Sequence, residues 1–114
     1  MRGTYEVIDE KYQIFRLTGL LDAFSEPVFT TTIKQRIDVG PSHIILSLAQ
    51  IDFVDSSGIG ALVQLVKYTQ NAGGTMQVVT NPRVTQTVKL VRLEKFLSLR
   101  NTIDEAIANV PSQK

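Results

Sequence analysis

The chain has 114 residues, 43% of them hydrophobic and 20% charged, with a formal net charge of +1 and no cysteine. That is the size and composition of one folded domain, expected to span residues 1–114 with a core from about residue 4 to 110, and it excludes a disordered tail. Disulfides, thiolate metal sites and cysteine nucleophiles are excluded outright, and no basic stripe marks a nucleic-acid binder.

Tyr5 to Ile8 and Gln13 to Leu17 are short apolar runs flanking the polar Asp9-Glu10-Lys11, a pattern that predicts a β-hairpin. Gly19 is expected to close the second strand. Ser25 reads as a helix N-cap with Pro27 in the first turn, where a missing N–H costs little. Val28, Phe29, Ile33 and Ile37 follow at helical spacing, and Gly40-Pro41 breaks the helix. Ile44 to Leu48 is almost wholly apolar, as a central strand covered on both faces should be.

The stretch Ile51-Asp52-Phe53-Val54-Asp55-Ser56-Ser57-Gly58-Ile59-Gly60 is the most informative in the chain. It brings an acid, two adjacent hydroxyls and two glycines to a helix start, where backbone N–H groups lack partners and the helix dipole favours negative charge. A serine there can cap the helix or carry a phosphate that the helix end tolerates. The helix itself shows two apolar stripes, one of Ile59, Leu62, Val63 and Val66 and another of Ala61, Leu65 and Tyr68, so wide burial is expected. Gly73-Gly74 stops it. Met76 to Val79 reads as a strand, Asn81-Pro82 starts a helix with Val84, Val88 and Val91 inward, and Phe96 to Leu99 reads as a short last strand. Thr102 to Glu105 fits a capping box for a final helix reaching about Val110. The order β-β-α-β-α-β-α-β-α implies an α/β fold, a mixed and mostly parallel sheet of about five strands with about four helices and an antiparallel start.

Catalytic machinery is hard to assemble from these residues. His43 is the only histidine, so no metal set is completed, and it reads as a strand-end side chain with its hydrogen bond satisfied. Neither serine has both flanking glycines of a hydrolase nucleophile elbow: Val54 stands two before Ser56, and Asp55 and Ile59 flank Ser57. Gly58-Ile59-Gly60 matches only part of a dinucleotide fingerprint, because Val63 stands at the third glycine position and no acid follows at the expected distance. No phosphate-binding Gly-Lys-Ser/Thr loop exists. No catalytic residue, cofactor or metal is therefore expected. An enzyme, for instance a small nucleotide hydrolase using Asp22 and Asp55 to hold a magnesium ion, is the disfavoured alternative.

At Asp55-Ser56-Ser57-Gly58-Ile59-Gly60 the chain resembles the anti-sigma factor antagonists, bacterial members of the sulfate-transporter-and-anti-sigma-antagonist (STAS) domain family, which carry an Asp-Ser-Ser-Gly-aliphatic-Gly motif after the central strand. Leu17-Thr18-Gly19-Leu20-Leu21-Asp22 agrees with the family's Leu-x-Gly-Glu-Leu-Asp before the first helix, except that Leu20 replaces the usual acid. The resemblance implies a protein that binds an anti-sigma factor while unphosphorylated and so releases a sigma factor. It implies a serine-protein kinase, often the anti-sigma factor itself, and a serine phosphatase as further partners. By the same resemblance Ser56 is the phosphate acceptor, with Asp22, Asp55, Ser57, Gly58, Ile59 and Gly60 as the docking surface. No direct nucleic-acid or membrane contact is expected, self-association is left open, and a cytoplasmic setting is expected. A scaffold or transport-accessory subunit built on the same domain is the alternative.

Overall fold

A computed structural model describes residues 1–111, so the last three residues of the expected domain lie outside it. The elements are β1 (Arg2–Ile8), β2 (Tyr12–Leu21), α1 (Glu26–Val39), β3 (His43–Val54), α2 (Ser56–Asn71), β4 (Thr75–Val79), α3 (Pro82–Leu90), β5 (Leu99–Arg100) and α4 (Ile103–Ala108), in the expected order. The five strands lie side by side in chain order. β1 is antiparallel to β2 across the hairpin, and every later pair is parallel. The crossover helices α1, α2 and α3 make this possible, since parallel neighbours need a long connection.

Alternation along β3 sorts the core into two parts. Ile44, Leu46 and Leu48 pack with Phe29, Ile33 and Ile37 of α1, Leu62 and Leu65 of α2, and Val84 and Val88 of α3. Ile45 turns the other way and meets Ile14, Val79 and Ala106 of α4. All six residues from His43 to Leu48 are buried, as a central strand requires. The His43 ring bonds through Nδ1 to the Thr75 hydroxyl at 2.9 Å, which satisfies it at the strand end as expected.

The differences from the sequence expectations cluster where the backbone is irregular. β2 does not stop at Gly19 but runs on to Leu21, with Gly19 at φ +102° absorbing the distortion. β3 is also longer than expected, and twice carries an extra residue relative to β2, between Arg16/Thr18 and between Gly19/Leu20. Each bulge reverses the inward face, so that Leu48, Ile51 and Val54, three apart, all enter the core. Val28 is not inward: the buried stripe of α1 is Phe29, Ile33 and Ile37, and Val28 is 73% exposed. Val91 lies beyond the end of α3 as its C-cap and is 52% exposed. The expected strand Phe96–Leu99 shrinks to Leu99–Arg100, because Arg92 and Ser98 take positive φ and break the approach into turns around the fully buried Leu97. α4 ends at Ala108 rather than near Val110, though Thr102 caps it as expected, its hydroxyl accepting from the Glu105 N–H at 3.0 Å.

Candidate functional site

The site forms where β2 and β3 finish together. The Asp55 N–H donates to the Leu21 carbonyl at 3.2 Å, which ties the two strand ends. Asp55 then leaves the strand in extended geometry and becomes the N-cap of α2. Its Oδ1 accepts from the Gly58 N–H at 2.9 Å, satisfying one of the helix's free donors. Its Oδ2 accepts from the Ala23 N–H at 3.3 Å. Between Asp55 and Ser56, the cap role therefore falls to the acid, and the serine is left as the first residue of the helix.

Ser56 is exposed, Ser57 half-buried and Gly60 exposed, whereas Gly58 and Ile59 are buried. The two glycines thus do different things. A Cβ on Gly58 would sit 2.5 Å from the Leu21 carbonyl oxygen and 2.9 Å from Val54 Cγ1, so only glycine lets α2 start this close to the ends of β2 and β3. A Cβ on Gly60 would meet nothing within 4 Å. Internal packing does not ask for a glycine there, and glycine in a helix interior costs up to about 1 kcal/mol against alanine. Gly58 and Ile59 shape the site from below; Ser56 and Gly60 are on its outer surface.

The β2–α1 loop is brought alongside by its own hydrogen bonds as well as by Asp55. The Asp22 carboxylate accepts from the N–H groups of Phe24 at 3.1 Å and Ser25 at 3.0 Å. These bonds, the Ser25 amide first, hold the Asp22 carboxyl below its ordinary value of 3.8. Ser25 occupies the N-cap position of α1 but makes no side-chain cap, contrary to the expectation. Its backbone is already helical, and its hydroxyl turns back to donate to the Leu20 carbonyl at 2.9 Å while accepting from the Asp22 N–H at 3.1 Å. The structure therefore links the Asp22 loop to Asp55 through the Ala23 amide, and Asp55 directly precedes Ser56. Both carboxylates are engaged by backbone amides. Among the described residues no group of three or more His, Asp or Glu side chains gathers as a metal site.

Three apolar side chains at this end of the sheet were not singled out by the sequence as site residues. Leu20 and Phe53 are register partners across β2 and β3 and are 47% and 51% exposed. Phe24, on the clipped loop, is 94% exposed. Phe53 has the composition of a core strand residue, and only the second bulge in β3 turns it outward.

A family model for the STAS domain matches residues 5–106. The anti-sigma F factor antagonist of Paenibacillus polymyxa is 32% identical over 88 residues, 75% of this chain and 75% of that protein. A Thermotoga neapolitana protein provisionally named as an anti-sigma factor antagonist is 28% identical over 75 residues, 65% of this chain, and the match spans 66% of that relative's length. The fold is shared with an anti-sigma factor antagonist from Mycobacterium paratuberculosis at a TM-score of 0.85 and 22% identity, over 96% of this chain and 92% of that one. It is shared also with the Bacillus cell-fate determinant SpoIIAA in its phosphorylated form, at a TM-score of 0.72 and 21% identity, over 94% of this chain and 97% of that one. No helix among the described residues is long and apolar enough to cross a membrane.

Proposed function

The chain belongs to the STAS domain family, and from that membership and the site's geometry we propose that it is an anti-sigma factor antagonist switched by phosphorylation of Ser56. It is a binding module rather than an enzyme. Unphosphorylated, it holds an anti-sigma factor and thereby frees a sigma factor; a serine-protein kinase and a serine phosphatase set the state of Ser56. The observation that carries this reading is the exposure of Ser56 at the head of α2, directly after the Asp55 cap.

The physics of the switch follows from that position. A phosphoryl group adds nearly two negative charges and three acceptor oxygens. The free donors and dipole of a 16-residue helix tolerate that charge from the protein's own side. The partner's side is different. A face that fitted a neutral hydroxyl between Asp22, Asp55 and the bare backbone of Gly60 would meet bulk and added charge where two carboxylates already lie. An acidic partner surface is repelled, and an arginine-bearing one is attracted.

The test is a pulldown with the cognate anti-sigma kinase, with and without ATP, read together with the intact mass of the bait. Wild type is expected to gain one phosphate and dissociate. Ser56→Ala is expected to keep its unmodified mass and stay bound with ATP present, and Ser56→Asp to bind at least tenfold more weakly. Stoichiometric phosphorylation of Ser56→Ala at another residue, with the same loss of binding as wild type, rules the assignment out.

A further inference from the structure

β1 is one of the two outer strands of the sheet, and six of its seven residues are exposed. An exposed edge strand pairs readily with another chain unless proline or misplaced charge blocks it. β1 contains no proline, and its charged residues are Arg2 and Glu6. Charge on an edge ordinarily protects it. Here the two opposite charges lie four residues apart, on the same face of the strand, and this spacing makes the edge complementary to itself.

We propose that β1 pairs antiparallel with β1 of a second copy of this chain, centred on Thr4, joining the two sheets across a twofold axis. In this register Arg2 of each copy faces Glu6 of the other, giving two symmetry-related ion pairs. Glu6 already binds Arg16 of its own chain at 2.7 Å, so each seam carboxylate is held between two guanidinium groups. On the opposite face Gly3 meets Tyr5 and Met1 meets Val7, covering side chains that are 51% (Tyr5), 42% (Met1) and 41% (Val7) exposed in one copy. That face continues into an apolar cleft of about 170 Å³ between β1 and α1, whose lining includes Tyr5, Leu17, Phe29 and the exposed Val28. Centring the pair on Tyr5 instead would set Glu6 against Thr4 and Arg2 against Ile8, with no charge matched. None of these residues belongs to the Ser56 site, so this inference stands independently of the proposed function.

The full chain is expected to sediment as a dimer at micromolar concentration. Arg2→Glu and Glu6→Arg each place like charges opposite one another twice, and each is expected to weaken the dimer about tenfold or more. Mixed together, the two variants match every charge and are expected to form a heterodimer with each other. Because the chain has no cysteine, Thr4→Cys supplies a single thiol that faces its own copy within disulfide reach, and it is expected to cross-link under mild oxidation. This variant keeps both seam charges and so also covers the case in which a charge variant fails to fold. A monomeric wild type, a dimer indifferent to both charge variants, or a dimer in which Thr4→Cys does not cross-link overturns the proposal.

Discussion

Asp55 and Ala23, thirty-two residues apart in sequence, are joined by a 3.3 Å hydrogen bond from the Ala23 N–H to Oδ2 of the carboxylate whose other oxygen caps α2. One side chain thus starts the helix and clips the loop that leads into α1. The two tasks use different oxygens and can be separated. Asp55→Asn keeps one carbonyl oxygen, enough for the cap, and is expected to lose the clip. Asp55→Ala loses both and is expected to cost about 1–2 kcal/mol. Amide exchange checks this: the Ala23 amide should exchange faster in both variants, and the Gly58 amide only in Asp55→Ala.

Alanine at the two helix glycines should have opposite effects. At Gly58 it forces a methyl against the Leu21 carbonyl and the Val54 side chain, an overpacking cost of about 1–3 kcal/mol. At Gly60 it meets open space and should stabilise the chain by up to about 1 kcal/mol. Denaturant unfolding separates the two. If Gly60 belongs to the docking surface as proposed, the stabilising Gly60→Ala should also bind the anti-sigma partner more weakly, since its methyl would project into the space left open there.

Leu20 is the register partner of Phe53 and, like it, lies on the surface rather than in the core. Leu20→Glu should therefore change unfolding free energy by no more than about 0.5 kcal/mol. If the exposed Leu20–Phe53 pair is the apolar anchor of the docking surface, the same change should weaken partner binding by about tenfold, the order expected for a central interface residue. Calorimetric titration against the anti-sigma factor measures it.

The hydrogen bonds that hold Asp22 ionised set a pH window. Its folded value is depressed below the ordinary 3.8, so its contribution to stability is complete above that value and is lost as pH falls through the folded one. Carboxyl NMR should give an Asp22 midpoint below the unfolded reference. Asp22→Asn should flatten the acid limb of stability against pH in that window, and only there.

Element order and most of the core were legible because they rest on regular periodicity. Phe29, Ile33 and Ile37, or Val84 and Val88, repeat at helical spacing and are buried at that spacing. Asp55 to Gly60 could be placed at a helix start because capping chemistry is local. The bulges in β3 were not legible, since an extra residue leaves no mark in composition, yet they decide that Ile51 is buried and Phe53 exposed. Ser25 stands at the expected N-cap position of α1, but its hydroxyl had two local uses, and the carbonyl of Leu20, five residues upstream, takes it instead of the helix amides. The exposure of Val28 depends on where α1 ends up over the sheet's outer strand, which spacing within the helix does not specify.

Asn81 fastens two elements at once. Its Oδ1 accepts from the Val84 N–H at 2.8 Å to cap α3, while its amide nitrogen donates to the carbonyls of Leu48, Ala49 and Ile51 at 3.3, 3.2 and 2.9 Å. The bulged stretch of β3 that delivers Asp55 and Ser56 is thereby stitched to a residue 30 to 33 positions downstream of it. A genetic screen for loss of signalling should accordingly recover lesions at codon 81 alongside those at Ser56, the proposed acceptor, because Asn81 holds the strand end that presents it.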